Sequence, residues 1–461
     1  MGLGTRSKKA AAQYTNIPST GYGTYNNWQP PADWPIMTCP AGGIQFIVND
    51  LSLATYAFSA TTVSGQPYQV NWGDGIIASY TSGTAAQHTY AVGTGKSCSL
   101  GYTTFVITIT SSKAGIALKT WSIQSHNLAT NPQYHGYLSA VFNTPSLTSI
   151  IWYTTAGGPH PLQLQSCIIT YGAALTGLSL MYGYSLQSIT LPPMPLLTTA
   201  TSMFQYCYSL QSLTLPPMPL LTTATSMFSG CSSLQSITLP PMPLLTNATS
   251  MFQNCSSLQS ITLPPMPLLT NATGMFNACY SLQSLTLPPM PLLTTATSMF
   301  QYCYSLQSIT LPPMPLLTNA TGMFNACYSL SNLTLTGGVT GGVFGGATPV
   351  QADSMLTSCE QLRNPSFPNT LFSVINAAGA SGKPNRLQSL TFSPSSTFLY
   401  ATPPQIDVAY TTMTAAQLNV LFTSLPSVSG GQVIRITGAT GAGSCTQSIA
   451  TNLGWTVNST T

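Results

Sequence analysis

The sequence predicts a mainly β protein: an N-terminal β-sandwich, a solenoid of 24-residue repeats and a small α/β C-terminal cap. Three observations carry that prediction. A 24-residue unit is written six times with hardly a change, beginning at Leu186, Leu210, Leu234, Leu258, Leu282 and Leu306, with a partial seventh from Leu330. Before it, residues 36–122 fall into short strand-like runs separated by turns. After it, the chain ends in helical patterns alternating with short apolar runs. Such strict periodicity means stacked coils, because each unit is too small to bury its own apolar face and does so against its neighbours.

Composition narrows the function classes. The 461-residue chain has ten basic and six acidic residues, and between Thr120 and Ala352 there is no Asp, Glu, Lys or Arg at all. Binding to nucleic acid needs clustered Lys and Arg to displace counterions, so the net charge of +4 predicts no nucleic-acid partner. A hydrophobic content of 44% argues against disorder. No run of about 18 apolar residues occurs, so membrane insertion is not expected. Arg6, Lys8 and Lys9 have no apolar segment behind them, and Arg6 stands where myristoylation needs Ser or Thr, so neither secretion nor lipidation is expected.

Taken in order, residues 1–35 have no period but carry Tyr14, Tyr22, Tyr25, Trp28 and Trp34 among Gly, Asn and Pro. Aromatics seek burial, so this segment is expected to be an extended arm that docks on a particle or neighbouring subunit. In residues 36–122, strands are expected over Gly43 to Val48, Tyr68 to Trp72, Phe105 to Thr110 and Leu118 to Ile123. Asn71-Trp72-Gly73-Asp74-Gly75 reads as a strand entering a tight turn. Residues 123–185 read as degenerate repeats, 186–335 as the six repeats with the partial seventh, and 336–461 as further degenerate repeats and the cap.

In each repeat a Leu-x-x-Leu-x-Leu core such as Leu210, Leu213 and Leu215 sets the inward face of a strand. Pro-Pro-x-Pro then removes ladder donors and stiffens the exit. Ala-Thr-Ser-Met-Phe is expected to add a turn of helix or 3₁₀ that buries Met227 and Phe228. Six strands at about 4.8 Å each make a rod roughly 30 Å long. Cys207, Cys231, Cys255, Cys279, Cys303 and Cys327 recur once per repeat and therefore form one column. Parallel side chains have the wrong geometry for bridging, and small buried thiols are the expectation. In the cap, Thr414 and Gln417 form a capping box that opens a helix through Leu418, Leu421, Phe422 and Leu425. A strand from Val433 to Ile436 and a second short helix ending at Gly454 follow.

Two family resemblances rest on these motifs. Trp72-Gly73-Asp74-Gly75 followed by His88-Thr89-Tyr90 resembles a PKD-type β-sandwich, which implies structural roles for Asp74 and His88. Met-Phe-x-x-Cys-x-Ser-Leu resembles the BspA-type leucine-rich repeat, though the absence of charge departs from common members. The order of parts resembles virion proteins of tailed bacteriophages, which implies a place on a particle without defining a ligand.

Motifs for chemistry are sparse. Gly95-Lys96-Ser97 has Tyr90 where a phosphate-binding loop needs Gly, and leads to a strand. No nucleophile elbow, zincin motif or calcium loop is present, the acids include no close pair, and no cofactor or metal is expected. His126, His135 and His160 read as loop histidines beside Tyr134 and Tyr137. Asn247, Asn271 and Asn319 each open an Asn-Ala-Thr sequon that their counterparts Thr199, Thr223 and Thr295 lack.

Apart from exchanges of Ile with Leu, Thr with Asn and Ser with Gly, the repeats differ among themselves around the cysteine. Tyr206, Tyr208, Tyr280, Tyr302 and Tyr304 fall there, beside Gln, Asn and Ser, a composition suited to stacking on sugar rings. The expectation is a non-enzymatic structural protein of a virus particle surface, a capsid decoration or fibre partnered by other virion proteins and by its own copies. The alternative is an adhesin or tail-fibre protein binding host-surface glycan, on a virion or a microbial cell surface.

Overall fold

A computed structural model describes residues 32, 34–49, 55–91, 93–98, 103–113, 116–123, 137–152, 164–335, 350–363, 365–367, 371–376, 386–392, 397–398, 406–429 and 431–459. Tyr14, Tyr22, Tyr25 and Trp28 of the expected arm lie outside the described residues, as do His126, His135 and His160.

The N-terminal strands are β1 (Gly43–Asn49), β2 (Thr55–Thr62), β3 (Tyr68–Asn71), β4 (Ile77–Tyr80), β5 (Ala85–Thr89), β6 (Lys96–Ser97), β7 (Thr103–Ser111) and β8 (Leu118–Ile123). They pair antiparallel in two sheets, with β1, β3, β4, β6 and β7 in one and β2, β5 and β8 in the other. The sheets face each other across an aromatic core, where Phe46 of β1 meets Phe58 of β2 at 6.3 Å and Trp121 of β8 at 5.0 Å between ring centroids. Strand β1 is buried along its whole length. Ile44, Phe46 and Val48 face this core, while Ile47 packs with Trp34 and Leu138. Trp34 is 4% exposed. It therefore covers the chain's own sandwich and is not presented to a neighbouring subunit.

No seam separates sandwich from solenoid. Strand β9 (Tyr137–Asn143) pairs antiparallel with β1 on one edge and parallel with β11 (Ser166–Ile169) on the other. In the second sheet β8 pairs parallel with β10 (Ser149–Ile151), which pairs parallel with β12 (Gly177–Ser179). Strand β13 (Ser188–Thr190), from the first full repeat, pairs parallel with β11. Each sandwich sheet thus runs on into the coils, and buried Trp121 and Trp152, 4.6 Å apart, sit at the crossing.

Within the repeats, strands of three or four residues pair in parallel at an offset of one repeat, as Ser212–Thr214 does with Ser236–Thr238 and Ser284–Thr286 with Ser308–Leu311. The expected helical turn is not formed. From Ala200 to Cys207, alternate amides take different partners. Those of Ala200, Ser202, Phe204 and Tyr206 donate to Thr223, Thr225, Met227 and Ser229 one coil on, at 2.8–2.9 Å. Those of Met203, Gln205 and Cys207 close four-residue turns at 3.1–3.2 Å. The alternation needs left-handed backbone at two positions per coil, seen at Ser202 (φ 54°) and Tyr206 (φ 62°) and repeated at Ser298 and Tyr302. A further ladder of single parallel bridges runs from Thr199 through Asn271 to Gln351.

Met227, Phe228 and their equivalents are fully buried, and the Phe rings of successive repeats stack at 5.3–5.5 Å. All eleven cysteines are free. In the column Cys207 Sγ donates to Leu180 O at 3.5 Å, and each later thiol donates to the carbonyl of the phenylalanine one coil earlier, as Cys255 Sγ does to Phe228 O at 3.2 Å. Beyond the repeats, strands Val350–Ala352, Leu371–Asn376, Ile406–Asp407, Val433–Arg435 and Thr456–Asn458 continue the parallel stacking. Helix α1 (Ala415–Thr423) has the Thr414–Gln417 capping box, and α2 is a single turn (Ser448–Thr451). Trp455 Nε1 donates to Pro426 O at 2.9 Å and is buried over the end of the core.

Candidate interaction surface

The polar side chains placed for chemistry by type are instead used for structure. Asp74 Oδ1 accepts the amide of Ile76 at 3.1 Å and Oδ2 meets His88 Nε2 at 2.7 Å, while the His88 ring stacks on Trp72 at 5.0 Å. Asp407 is 2% exposed and paired in a two-pronged contact with Arg435, and Asp353 takes a hydrogen bond from Gln351 at 2.6 Å. Among the described residues no three His, Cys, Asp or Glu side chains gather where they could hold a metal ion. No helix of the described residues is long and apolar enough to cross a membrane.

What remains is a surface with three kinds of column. The first is polar: Gln, Ser and Thr of each strand face out, as the exposed Ser212 and Thr214 do. The second is apolar. Each repeat carries Leu-Leu; its second member, such as Leu221, is fully buried, and its first is exposed. Leu196, Leu220, Leu244, Leu268, Leu292 and Leu316, at 37–47% exposure, form a row along the solenoid beside exposed prolines. Sequence reading misses this row, because adjacent identical letters give no sign of which one turns out.

The third column is the tyrosines. The position after the cysteine, or after Gly183 in the first coil, holds Tyr184, Tyr208, Ser232, Ser256, Tyr280, Tyr304 and Tyr328 in successive coils. Their rings stack face to face: Tyr184 on Tyr208 at 4.6 Å, Tyr280 on Tyr304 at 4.9 Å and Tyr304 on Tyr328 at 5.0 Å. A second file of rings lies before the cysteine, in left-handed backbone. There Tyr182 stacks on Tyr206 at 5.3 Å, and Tyr302 meets Tyr304 edge-on at 6.2 Å. Tyr208, Tyr280, Tyr302 and Tyr304 are exposed, whereas Tyr206 is half-buried because its ring leans over Gly230 of the next coil. Burial and neighbouring phenols hold the Tyr208 and Tyr304 hydroxyls above the ordinary tyrosine range, so both stay neutral donors. The stacking brings the site tyrosines into two groups, Tyr206 with Tyr208 and Tyr280 with Tyr302 and Tyr304.

The repeats match the BspA type Leucine rich repeat region family in six copies, over residues 163–268 and 247–344. The chain therefore carries BspA-type leucine-rich repeats; the match leaves the sandwich and the C-terminal region outside it. No curated protein matches significantly. Among solved structures, a leucine rich cell surface protein from Faecalibacterium prausnitzii A2-165 is similar at 17% identity and a TM-score of 0.24, over 50% of this chain and 86% of that one. A leucine-rich repeat protein from Eubacterium ventriosum ATCC 27560 is similar at 13% identity and a TM-score of 0.32, over 62% of this chain and 91% of that one.

Proposed function

We propose that this chain of BspA-type repeats is a non-enzymatic structural protein displayed on a surface, and that the surface is that of a virus particle. In this reading the N-terminal arm and sandwich dock to other virion proteins of the capsid or tail, and the solenoid tiles the outside against further copies of itself. The observation that carries it is the exposed leucine row, from Leu196 to Leu316, on a solenoid without a formal charge. An uncharged apolar ridge is suited to a permanent contact and gives salt nothing to screen. The PKD-like sandwich and the order of the parts support the virion setting; display on a microbial cell is the other setting the same surface suits.

The test is the association state of the purified chain, by analytical ultracentrifugation at about 0.05 M and about 0.5 M salt, between which the Debye length shortens about threefold. Association is expected to survive the salt and to fall on changing Leu220, Leu244 and Leu268 together to Gln. The melting temperature should hardly move, since substitutions at exposed positions rarely change stability by more than about 0.5 kcal/mol. Dissociation in high salt, or full association of the leucine variant, overturns the reading.

A second reading, recognition of host-surface glycan by an adhesin or tail fibre, is favoured by the ends of the tyrosine stacks. There an aromatic face, the part that stacks on a sugar, is left uncovered by another ring of its file.

A further inference from the structure

Within a continuous stack of tyrosines, each ring covers its neighbour's face and leaves only edges and hydroxyls outside. The file after the cysteine is broken in one place. Tyr208 ends the first stack and Tyr280 begins the second, and the two coils between them carry Ser232 and Ser256. The face of Tyr208 that looks along the solenoid toward Tyr280, and the face of Tyr280 that looks back, therefore have no ring of their file against them. Both residues are exposed, at 40% and 41%.

The width of the break follows from the coil spacing. The buried Phe rings of these coils step by 5.3, 5.5 and 5.4 Å, so the two walls stand roughly 16 Å apart, three such steps. Apolar faces stack at about 3.5–4.0 Å from carbon to carbon, which leaves roughly 8 Å between two rings that each cap one wall. The floor is polar and neutral. Ser256 Oγ donates to Ser232 O at 3.2 Å, tying the two floor coils together. Beside them Asn254 is exposed, in left-handed backbone at φ 60°, and its side-chain amide has no hydrogen-bond partner among the described residues.

We propose that Tyr208, Tyr280, Ser232, Ser256 and Asn254 form a slot for a neutral oligosaccharide. Two of its sugar rings lay their flat C–H faces against the two tyrosines, and its hydroxyls bond to the serines and the asparagine. This inference rests on the glycan reading and gives it a place and a ligand class. Neutrality follows from the sequence: no Lys or Arg lies between residues 120 and 352 to compensate a sulfated or sialylated sugar. The hydroxyl and amide floor favours a sugar over a purely apolar group, which would leave those groups desolvated.

The test is a titration of the full chain with a panel of neutral linear oligosaccharides of glucose and galactose units, beside sialylated and sulfated ones, by calorimetry. Neutral members are expected to bind. Tyr208→Ala and Tyr280→Ala should each weaken binding on the order of tenfold, the loss of one aromatic contact. Ser232→Tyr with Ser256→Tyr should abolish binding by continuing the stack through the slot, while leaving the fold intact, because tyrosine already occupies the same position in other coils. Tyr328→Ala, at the far end of the second stack, should leave affinity unchanged. If the chain binds but the filled variant binds equally well, or Tyr328→Ala weakens binding as much as Tyr280→Ala, the slot is wrong and the glycan reading stands. If no neutral oligosaccharide binds the full chain, both fail.

Discussion

The ring of Tyr206 lies so closely over Gly230, one coil further on, that a Cβ there would sit 2.5 Å from Tyr206 Cδ1. The two residues occupy the same place in successive repeats and both have left-handed backbone, at φ 62° and 80°. A bulky ring in that conformation is uncommon, and the missing side chain next to it is what gives the ring room.

Gly230→Ala should therefore destabilise the chain by about 1–2 kcal/mol, from the positive φ and from displacement of the tyrosine. Gly274→Ser is the contrast: its φ is 59°, its Cβ would meet Ser250 Oγ at an ordinary 3.4 Å, and Ser fills the equivalent position in most other coils. That change should stay within about 0.5 kcal/mol. Urea unfolding of the two variants measures both, and an equal effect would remove the Tyr206 contact as the cause.

Burial pushes the thiols of the cysteine column up, Cys207 and Cys359 to about 12 from a reference of 9.0, and the interior members well above it. A raised folded-state value means that this stabilisation is fully present below about pH 9 and is lost as pH rises toward the folded value. Each fully buried thiol then contributes about 1.4 kcal/mol of loss per pH unit. Unfolding free energy should drop steeply between about pH 9 and pH 10, and Cys255→Ser, which removes one titrating group, should lessen the slope. A flat profile across that range contradicts the assignment. Iodoacetamide at pH 8 should label the column only after unfolding, read by intact mass.

Asp407 is the charged group most tightly held. Its carboxylate takes Arg435 Nε at 3.0 Å and the Ala409 amide at 3.1 Å, across neighbouring parallel strands. Asp407→Ala should destabilise by about 2–3 kcal/mol, below the range for a fully buried pair because the Arg435 side chain is 41% exposed. The double change with Arg435→Ala should be less destabilising than the sum of the single ones. Additive losses by urea unfolding would mean that the pair is not coupled.

Much of the architecture was legible because a solenoid makes local sequence and long-range contact the same information. A column of Leu, Met, Phe or Cys at a spacing of one repeat is already a list of stacked neighbours. The capping box at Thr414 was equally legible, being a contact between residues three apart. Ala-Thr-Ser-Met-Phe misled, because its spacing also suits a helical turn. The outcome there depends on amides that find carbonyls in the next coil, such as Phe228 with Met251 at 2.8 Å.

The sequence by itself determined the period, the free and buried cysteine column, the uncharged middle and the mainly β class, since each follows from residue type and repetition alone. Tertiary structure alone decided which leucine of Leu220-Leu221 faces out, that β8 and β9 carry the sandwich sheets into the coils, and that the tyrosine rings after the cysteine stack face to face in two runs interrupted at Ser232 and Ser256. These are matters of direction and of partners distant in the chain. Side-chain direction is set by the local turn of the coil and strand partnership by three-dimensional packing, and neither has a fixed spacing in sequence.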